Sequence, residues 1–477
     1  MHAALALMPS ALVLVLVLGF GASGLAAAVA AASATVMIWL TQAFGPVEAA
    51  QALHALADAS VLTLLVAAMV VPGFLFVEAT RDRKSPKAIA ALVAGIGATG
   101  SRAAILVGVG IGVLVESLTG LGVSLLVTAP LLVGLFPRRH AIAIALLGVS
   151  LMPWGALAIS AHVGAELAGL PLSHLQRWIV AVSGPVAFCL PLLAALIGGS
   201  RRHDDVRMAL LTGAVFTAAI GLATISFGIE VGGVAGGLAV IALVVGLSSR
   251  PQRLYSLLAA PGLRPYVILI AAVVAQKLAI APLTALGASP SVSTGRVTFV
   301  LLTSPGIALL GATIASASSA IDARLLASVA ARAWRPVVAV ALFMISARLL
   351  VECGAVAALA ASVGGMGRFG ATLAVAAMGA IGGFVTGSGV TGNALFMPSA
   401  AASGAALGTL PIFAALQNAA SGHVALASLP VAAVLLAALP ERVAGDDQLA
   451  MRTGLALAGW HLTIALTSAL VLVALAH

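Results

Sequence analysis

Two short motifs of glycine and hydroxyl residues interrupt apolar stretches of the sequence, T-G-L-G-V-S at 119–124 and T-G-S-G-V-T at 386–391. A helix that restarts after a glycine break presents unpaired N–H groups and the positive end of its dipole, which suit an anion. The alternative is that these small residues only allow close helix packing. We predict an anion site at the two breaks, formed by Ser117, Thr119, Gly120, Gly122, Ser124, Thr386, Gly387, Ser388, Gly389, Thr391 and Asn393.

A single acidic residue, Glu116, immediately precedes the first break, after the apolar run I-L-V-G-V-G-I-G-V-L-V. An ionisable side chain within such a run is a functional candidate by default, because an unpaired charge there is costly. We predict that Glu116 binds substrate and carries a coupling proton. The alternative is a structural carboxylate that caps the restarted helix or pairs with Arg102.

A third polar patch, Q-N-A-A-S-G-H at 417–423, follows the second break. It adds Asn418, Ser421 and His423 to the predicted substrate site. His423 is also a candidate proton relay, although a lone histidine is equally compatible with simple packing.

Arg348 and Glu352 lie four residues apart, on one face of a helix, so we predict that they form an ion pair. The competing hypothesis is that Arg348 clamps a substrate carboxylate directly. Asp58 and Lys277 are isolated in the apolar sequence, and the sequence assigns them no role.

The signatures of nucleotide-binding and metal-dependent enzymes do not occur in the sequence. It contains no G-x-x-x-x-G-K-[ST], no H-E-x-x-H and no Cys/His ligand spacing. We therefore expect no enzyme activity, no cofactor and no metal, and an ion gradient as the energy source if the protein transports. The two cysteines, Cys189 and Cys353, lie in apolar surroundings and indicate no disulfide.

The composition defines the elements that position these residues. Of 477 residues, 62% are hydrophobic and 8% are charged, whereas soluble domains carry about 25% charged residues. Apolar runs of about 18 to 22 residues, each long enough to cross a bilayer as a helix, recur from end to end. The sequence predicts an all-α polytopic membrane protein with about 12 spans. The net charge of +9 comes from short loops, so it indicates orientation in the membrane and not binding to nucleic acid.

Basic clusters predict the sidedness of the two broken segments, 102–136 and 370–403. Arg81, Arg83, Lys84 and Lys87 precede the first segment and Arg138 and Arg139 follow it, which places both of its ends in the cytoplasm. The same rule places both ends of the second segment outside, together with the N- and C-termini. Two re-entrant helical hairpins of opposite orientation are typical of an inverted-repeat secondary transporter.

The predicted organisation has four parts: N-terminal spans at 1–55, a first repeat at 56–200, connecting spans at 201–335 and a second repeat at 336–477. Spans 141–158 and 176–198 follow the first hairpin, and spans 410–439 and 453–475 follow the second. Each broken segment could instead be two short crossings. Segment 102–136 offers roughly 50 Å of helix, which falls short of two crossings.

Both broken segments resemble the L-lactate permease family of bacterial organic-acid symporters. The first runs V-L-V-E-S-L-T-G-L-G-V-S-L-L-V-T-A-P-L-L-V-G-L, and its matching residues are Glu116, Gly120, Gly122, Thr128, Ala129 and Gly134. The second runs G-G-F-V-T-G-S-G-V-T-G-N-A-L-F, and its matching residues are Thr386, Gly387, Ser388, Asn393, Leu395 and Phe396. The likeness extends over much of 60–200 and 335–475.

The resemblance implies proton-coupled import of lactate, glycolate or a related 2-hydroxymonocarboxylate through the bacterial inner membrane, with Glu116 in the site. The sequence departs from the family at Leu121, in an aromatic position, and at Gly389, in an acidic or amide position. Ser421, Gly422 and His423 replace a T-G-G patch. The expected partners are a small organic anion, protons and the lipid bilayer. The sequence leaves open whether the protein forms a homo-oligomer. The alternatives are a sodium-coupled or other anion carrier and a non-transporting membrane sensor or assembly component.

Overall fold

The computed structural model describes residues 2–80, 93, 95–120, 122–199, 203–248, 255–256, 259, 263–286, 289–317 and 321–476. These residues are almost entirely helical. The helices are α1 (His2–Leu14, extended by a π-helix to Gly19), α2 (Gly24–Leu40), α3 (Ala49–Ala79), α4 (Gly100–Thr119, with a π-helical stretch Ile105–Ile111), α5 (Val123–Leu135), α6 (Arg138–Gly148), α7 (Gly155–Ala168), α8 (Leu172–Ile197), α9 (His203–Phe227), α10 (Ile229–Gly246), α11 (Arg264–Ala285), α12 (Pro305–Ser316), α13 (Ala323–Glu352), α14 (Ala355–Gly364), α15 (Gly367–Thr386), α16 (Gly389–Leu407), α17 (Leu410–Ala425), α18 (Leu429–Ala438) and α19 (Asp446–Leu475).

Membrane-spanning helices dominate the described part of the chain. By length and composition ten of them could cross a bilayer, and twelve spans result if each of two bent helix pairs counts as one. This confirms the prediction of an all-α polytopic membrane protein. Helix α4 is buried along nearly its whole length and forms the centre of the fold, whereas α11 is mostly exposed.

One antiparallel β-hairpin departs from the purely helical expectation. Strand β1 (Ser291–Ser293) pairs with β2 (Thr298–Val300), with Val292 opposite Phe299. A 3₁₀ turn, Leu301–Thr303, connects the hairpin to α12 (Pro305–Ser316). The backbone before α12 is irregular, and two of its carbonyl oxygens accept hydrogen bonds from a side chain. Gln276 Nε2 of α11 donates to the carbonyl oxygens of Leu302 and Ser304 at 2.8 Å.

The second broken segment folds back on itself. A Cβ built on Gly382 of α15 would lie 2.9 Å from the Cα of Gly392 in α16. Two collinear helices would separate these residues by about 15 Å at 1.5 Å per residue. The chain therefore reverses direction at Gly387, as a helical hairpin requires.

The predicted span 141–158 has a different shape from the one expected. It consists of α6 and α7, bent by 41° at a break around Met152–Trp154, and α7 continues to Ala168. The predicted span 410–439 is also a bent pair, α17 and α18, with an angle of 40°. The first bend was not predicted because the segment M-P-W-G carries no charge, although its proline and glycine are residues that commonly interrupt a helix.

The order of elements is the same in two parts of the chain. A helix–break–helix segment, a bent pair and one long helix follow each other in α4–α8, and again in α15–α19.

The boundaries predicted at 56 and 336 fall inside α3 and α13, which pack against each other. The basic residues Arg81, Arg83, Lys84 and Lys87 lie outside the described residues, as do Arg201, Arg202, Arg250 and Arg253.

Candidate functional site

The first break brings Glu116 onto the start of α5. Gly120 has φ 66° and Gly122 has φ 74°, left-handed values that suit glycine and end α4. The Oε1 atom of Glu116 accepts from the backbone N–H of Gly122 at 3.1 Å. Its Oε2 atom accepts from the N–H of Ser124 at 3.4 Å and from the Ser124 hydroxyl at 2.8 Å. Glu116 therefore caps the helix that restarts after the break.

This cap determines what the first break offers to a ligand. The Glu116 carboxylate is 2% exposed and occupies the positive end of α5, where the sequence predicted a bound anion. Glu116 does not pair with Arg102, the partner that the sequence offered as an alternative. Arg102 is exposed at the start of α4, and the hydrogen-bond partners of the carboxylate are Gly122 and Ser124. An external anion can use these donors only when Glu116 releases them.

The other hydroxyl groups of the first break point elsewhere. The Thr119 hydroxyl donates to the carbonyl oxygen of Val115 at 2.7 Å, within its own helix. Ser117 faces α10, where a Cβ on Gly233 would lie 2.2 Å from its Oγ. The structure thus groups Glu116 with Gly122 and Ser124 and directs Ser117 and Thr119 away from them.

The second break is capped by its own serine. Gly387 has φ 65°, and the Oγ of Ser388 accepts from the N–H of Thr391 at 3.4 Å. Thr386 donates to the carbonyl oxygen of Gly382 at 2.7 Å. The hydroxyls of Thr386 and Ser388 therefore stabilise the turn itself.

A buried cluster of five polar side chains lies where α7, α16 and α17 meet. We call it the amide cluster; its members are Ser160, Asn393, Gln417, Asn418 and Ser421, each no more than 4% exposed. Asn393 Nδ2 donates to Asn418 Oδ1 at 2.8 Å and to the Ser160 carbonyl oxygen at 2.9 Å. Gln417 Nε2 donates to the carbonyl oxygen of Gly392 at 3.3 Å.

Ser421 joins the amide cluster through close contact with Gly392, where an added Cβ would lie 1.9 Å from the Ser421 Oγ. The sequence had singled out Asn393, Asn418 and Ser421, which the structure brings together. It had not named Ser160, and Gln417 appeared only as the first letter of the polar patch. Ser160 stands alone in an apolar stretch, so only the placement of α7 reveals it.

Helix α7 lies between the two breaks. A Cβ on Gly120 would lie 2.5 Å from the Cβ of Ala156, at the start of α7. One turn later, a Cβ on Gly389 of the second break would lie 3.1 Å from the Cβ of Ser160. Ala156 to Ala158 have φ between 49° and 59°, a left-handed turn that is unusual for residues with a side chain. This strained turn connects the two halves of the candidate site.

His423 lies away from the amide cluster. Its Nδ1 is 2.7 Å from the carbonyl oxygen of Ser150 and its Nε2 is 3.0 Å from the hydroxyl of Ser183. The ring also contacts that of His461, with 5.7 Å between centroids. Both nitrogens of His423 are thus occupied, and its partners belong to the bend after α6 and to α8.

Ion pairs that the sequence did not predict connect distant parts of the chain, and their acidic side chains are buried. Arg348 pairs with Asp58 of α3, and Glu352 pairs with Arg296, which follows β1. The predicted pairing of Arg348 with Glu352 is therefore wrong, because longer-range partners take both side chains. Another network joins Glu230 to His162 at 3.1 Å and to Lys277 at 3.0 Å, so Asp58 and Lys277 are paired rather than isolated.

Among the described side chains at the first break and in the amide cluster, Glu116 is the one ionisable group, and its carboxylate accepts hydrogen bonds from Gly122 and Ser124. Among the described residues no group of three or more His, Cys, Asp and Glu side chains could hold a metal ion. The arrangement can bind a small polar ligand through amides, hydroxyls and backbone N–H groups.

The fold and the site together define the class of the protein as a polytopic all-α membrane protein with buried polar groups at helix breaks. The model of one family, L-lactate permease, matches residues 2–256 of the 477. The chain therefore belongs to the L-lactate permease family, a family of membrane transporters, as its motifs had suggested. The match contains the first break and α7 and ends before the second break. No individual curated protein matches the sequence.

Proposed function

We propose that the protein imports a small monocarboxylate, such as L-lactate, glycolate or a related 2-hydroxy acid, together with protons across the bacterial inner membrane. The observation that carries this proposal is the Glu116 carboxylate, held by three donors at the start of α5 in the region that matches the family. A buried carboxylate at a helix break is a candidate for both proton and substrate coupling.

The geometry supports a specific coupling step. While ionised, Glu116 occupies the N–H groups of Gly122 and Ser124 and excludes a second anion from the same place. A proton on Glu116 removes its charge and weakens these charge-assisted hydrogen bonds. The carboxylate of the substrate then replaces that of Glu116 at the end of the helix dipole. Proton and substrate bind together in this scheme, which is the requirement for symport.

The remaining site residues are proposed to complete the binding site from the second break. Thr386, Gly387, Ser388, Gly389 and Thr391 form its turn, and Asn393, Asn418 and Ser421 form its buried polar wall. His423 is retained only as a proton relay, because its partners place it in a neighbouring polar group.

Uptake by proteoliposomes tests the function. Purified protein should accumulate labelled L-lactate or glycolate when an inward proton gradient is imposed, and only equilibrate without one. No uptake of any 2-hydroxy acid under either condition would contradict the proposal, and would leave the hypothesis of a membrane sensor or assembly component. Accumulation that requires sodium, and disappears in choline, would favour the sodium-coupled alternative.

A further inference from the structure

We propose that the amide cluster binds the hydroxyl group of the transported acid, an inference that rests on the function proposed above. One atom of each side chain in the cluster has no hydrogen-bond partner in the described part of the chain. These atoms are Ser160 Oγ, Asn393 Oδ1, Gln417 Oε1, Asn418 Nδ2 and Ser421 Oγ. Buried polar atoms are normally paired, so five together indicate a missing ligand.

The orientation of the amides follows from their existing partners. Asn393 and Gln417 each face a backbone carbonyl oxygen, of Ser160 and Gly392 respectively, and a carbonyl can only accept. Their nitrogen atoms must therefore point to these carbonyls, which leaves both oxygen atoms free. Asn418 accepts from Asn393 and is left with a free nitrogen.

This set of free atoms selects one chemical group. Two amide oxygens repel a carboxylate, which offers acceptors only, whereas a hydroxyl group both donates and accepts. It can donate to Asn393 Oδ1 or Gln417 Oε1, and it can accept from Asn418 Nδ2 and from the hydroxyl of Ser160 or Ser421. In the proposed function, the carboxylate of the same substrate takes the place of Glu116 at the start of α5.

Two glycines allow the helices to approach the cluster closely. A Cβ on Gly164 would lie 3.1 Å from Asn393 Nδ2, and one on Gly389 would lie 3.4 Å from the Ser160 Oγ. A side chain at either position would therefore press on the cluster.

Competition and uptake assays with three acids test the inference. L-Lactate carries the hydroxyl, propionate lacks it and pyruvate replaces it with an acceptor. We expect the protein to prefer lactate over both analogues by at least tenfold, since an unpaired buried amide penalises the wrong ligand. At least one of Ser160→Ala and Ser421→Ala should reduce the preference over propionate by about tenfold, the factor that corresponds to one hydrogen bond, because lactate uptake falls more than propionate uptake.

A matched control is Ser403→Ala, because Ser403 is buried on α16 but donates to Ser399 of its own helix at 2.8 Å. It should leave the preference unchanged. The melting temperatures of Ser160→Ala and Ser421→Ala should not fall, since neither hydroxyl has a hydrogen-bond partner among the residues that the structure describes.

The other possible results contradict either the hydroxyl subsite or the proposed transport function, and the two cases can be told apart. Equal wild-type uptake of lactate and propionate, or an equal loss of both in the two variants, would contradict the hydroxyl subsite and leave the transport function intact. Uptake of neither acid would contradict the proposed function itself. A lactate preference that vanishes when choline replaces sodium would identify the cluster as a cation site instead.

Discussion

Glu116 has an observed role as the cap of α5 and a proposed role as the carrier of the coupling proton. Its position was predictable, because an acidic residue inside a long apolar run is conspicuous in the sequence. Its partners were not, since capping of α5 depends on the backbone turn at Gly120 and Gly122. Of the two hypotheses that the sequence left open, the capping geometry is the one that the structure contains. Coupling requires that the same carboxylate leave the cap when protonated.

Glu116→Gln tests that requirement. The amide keeps the shape of the side chain but cannot take up a proton, so we expect the accumulation of lactate that an inward proton gradient drives to be lost. Exchange of labelled for unlabelled lactate should continue, because it needs no net proton movement. The matched control is Glu166→Gln, whose carboxylate accepts from the Thr298 N–H at 3.4 Å, away from both breaks. Accumulation by Glu116→Gln would disprove the coupling role.

Long-range ion pairs show the limit of local sequence patterns. A spacing of four residues favours a pair between Arg348 and Glu352, but Asp58 lies 290 residues away in the sequence and is still the partner of Arg348. The packing of α3 against α13 decides the pairing, and nothing in the spacing of charges reveals which helices are neighbours.

At the scale of elements, the Asp58–Arg348 pair should hold α3 and α13 together. Asp58 is 1% exposed and the Arg348 side chain is 11% exposed, so removal of one partner leaves a buried charge. We expect Asp58→Ala to lower the free energy of unfolding by about 3 kcal/mol. The double variant Asp58→Asn with Arg348→Met should recover part of this loss. Asp204→Ala, which breaks a pair with both side chains more than 80% exposed, is the control and should leave the melting temperature in detergent unchanged.

The glycine breaks make a second prediction at this scale. Gly120→Ala places a side chain on a residue with φ 66°, 2.5 Å from the Cβ of Ala156. The combined cost of the left-handed backbone and overpacking is about 3 kcal/mol, and transport should be lost with it. Gly134→Ala is the matched control on α5, because nothing lies within 4 Å of the added Cβ. Thermal unfolding in detergent should show a large fall for the first variant and none for the second.

At the scale of the whole molecule, the repeated order of elements supports the proposed repeat. Helix α3 precedes the first hairpin and α13 the second, and these two long helices pack against each other. Composition and the two glycine motifs sufficed to predict the class of fold and the places of the breaks. The bend before α7 lies at Pro153 and Gly155, which commonly interrupt a helix but do not reveal the direction of the chain after them. The sequence therefore predicted Asn393, Asn418 and Ser421 of the candidate site but not Ser160, which lies on the helix after that bend.

One contact between distant parts of the chain joins residues for which the sequence predicts the same face. Arg138, predicted to lie in the cytoplasm by its basic cluster, donates through Nε to Asp446 at 2.6 Å. The neighbouring Arg442 is basic as well, so the same rule predicts the cytoplasmic face for it. The two predictions are consistent with each other, and the orientation of the protein stays a prediction.

Cysteine labelling tests the opposed orientation of the two broken segments. In a variant without native cysteines, Thr99→Cys and Leu135→Cys flank the first segment, and Met366→Cys and Ala406→Cys flank the second; all four positions are exposed. A membrane-impermeant thiol reagent applied to intact spheroplasts should label the second pair and spare the first, because basic residues retain the ends of the first segment in the cytoplasm. Lysed membranes, in which all four should react, provide the control. Labelling of both pairs from the same face would rule out an inverted repeat, because a rotation about an axis in the membrane plane exchanges the two faces.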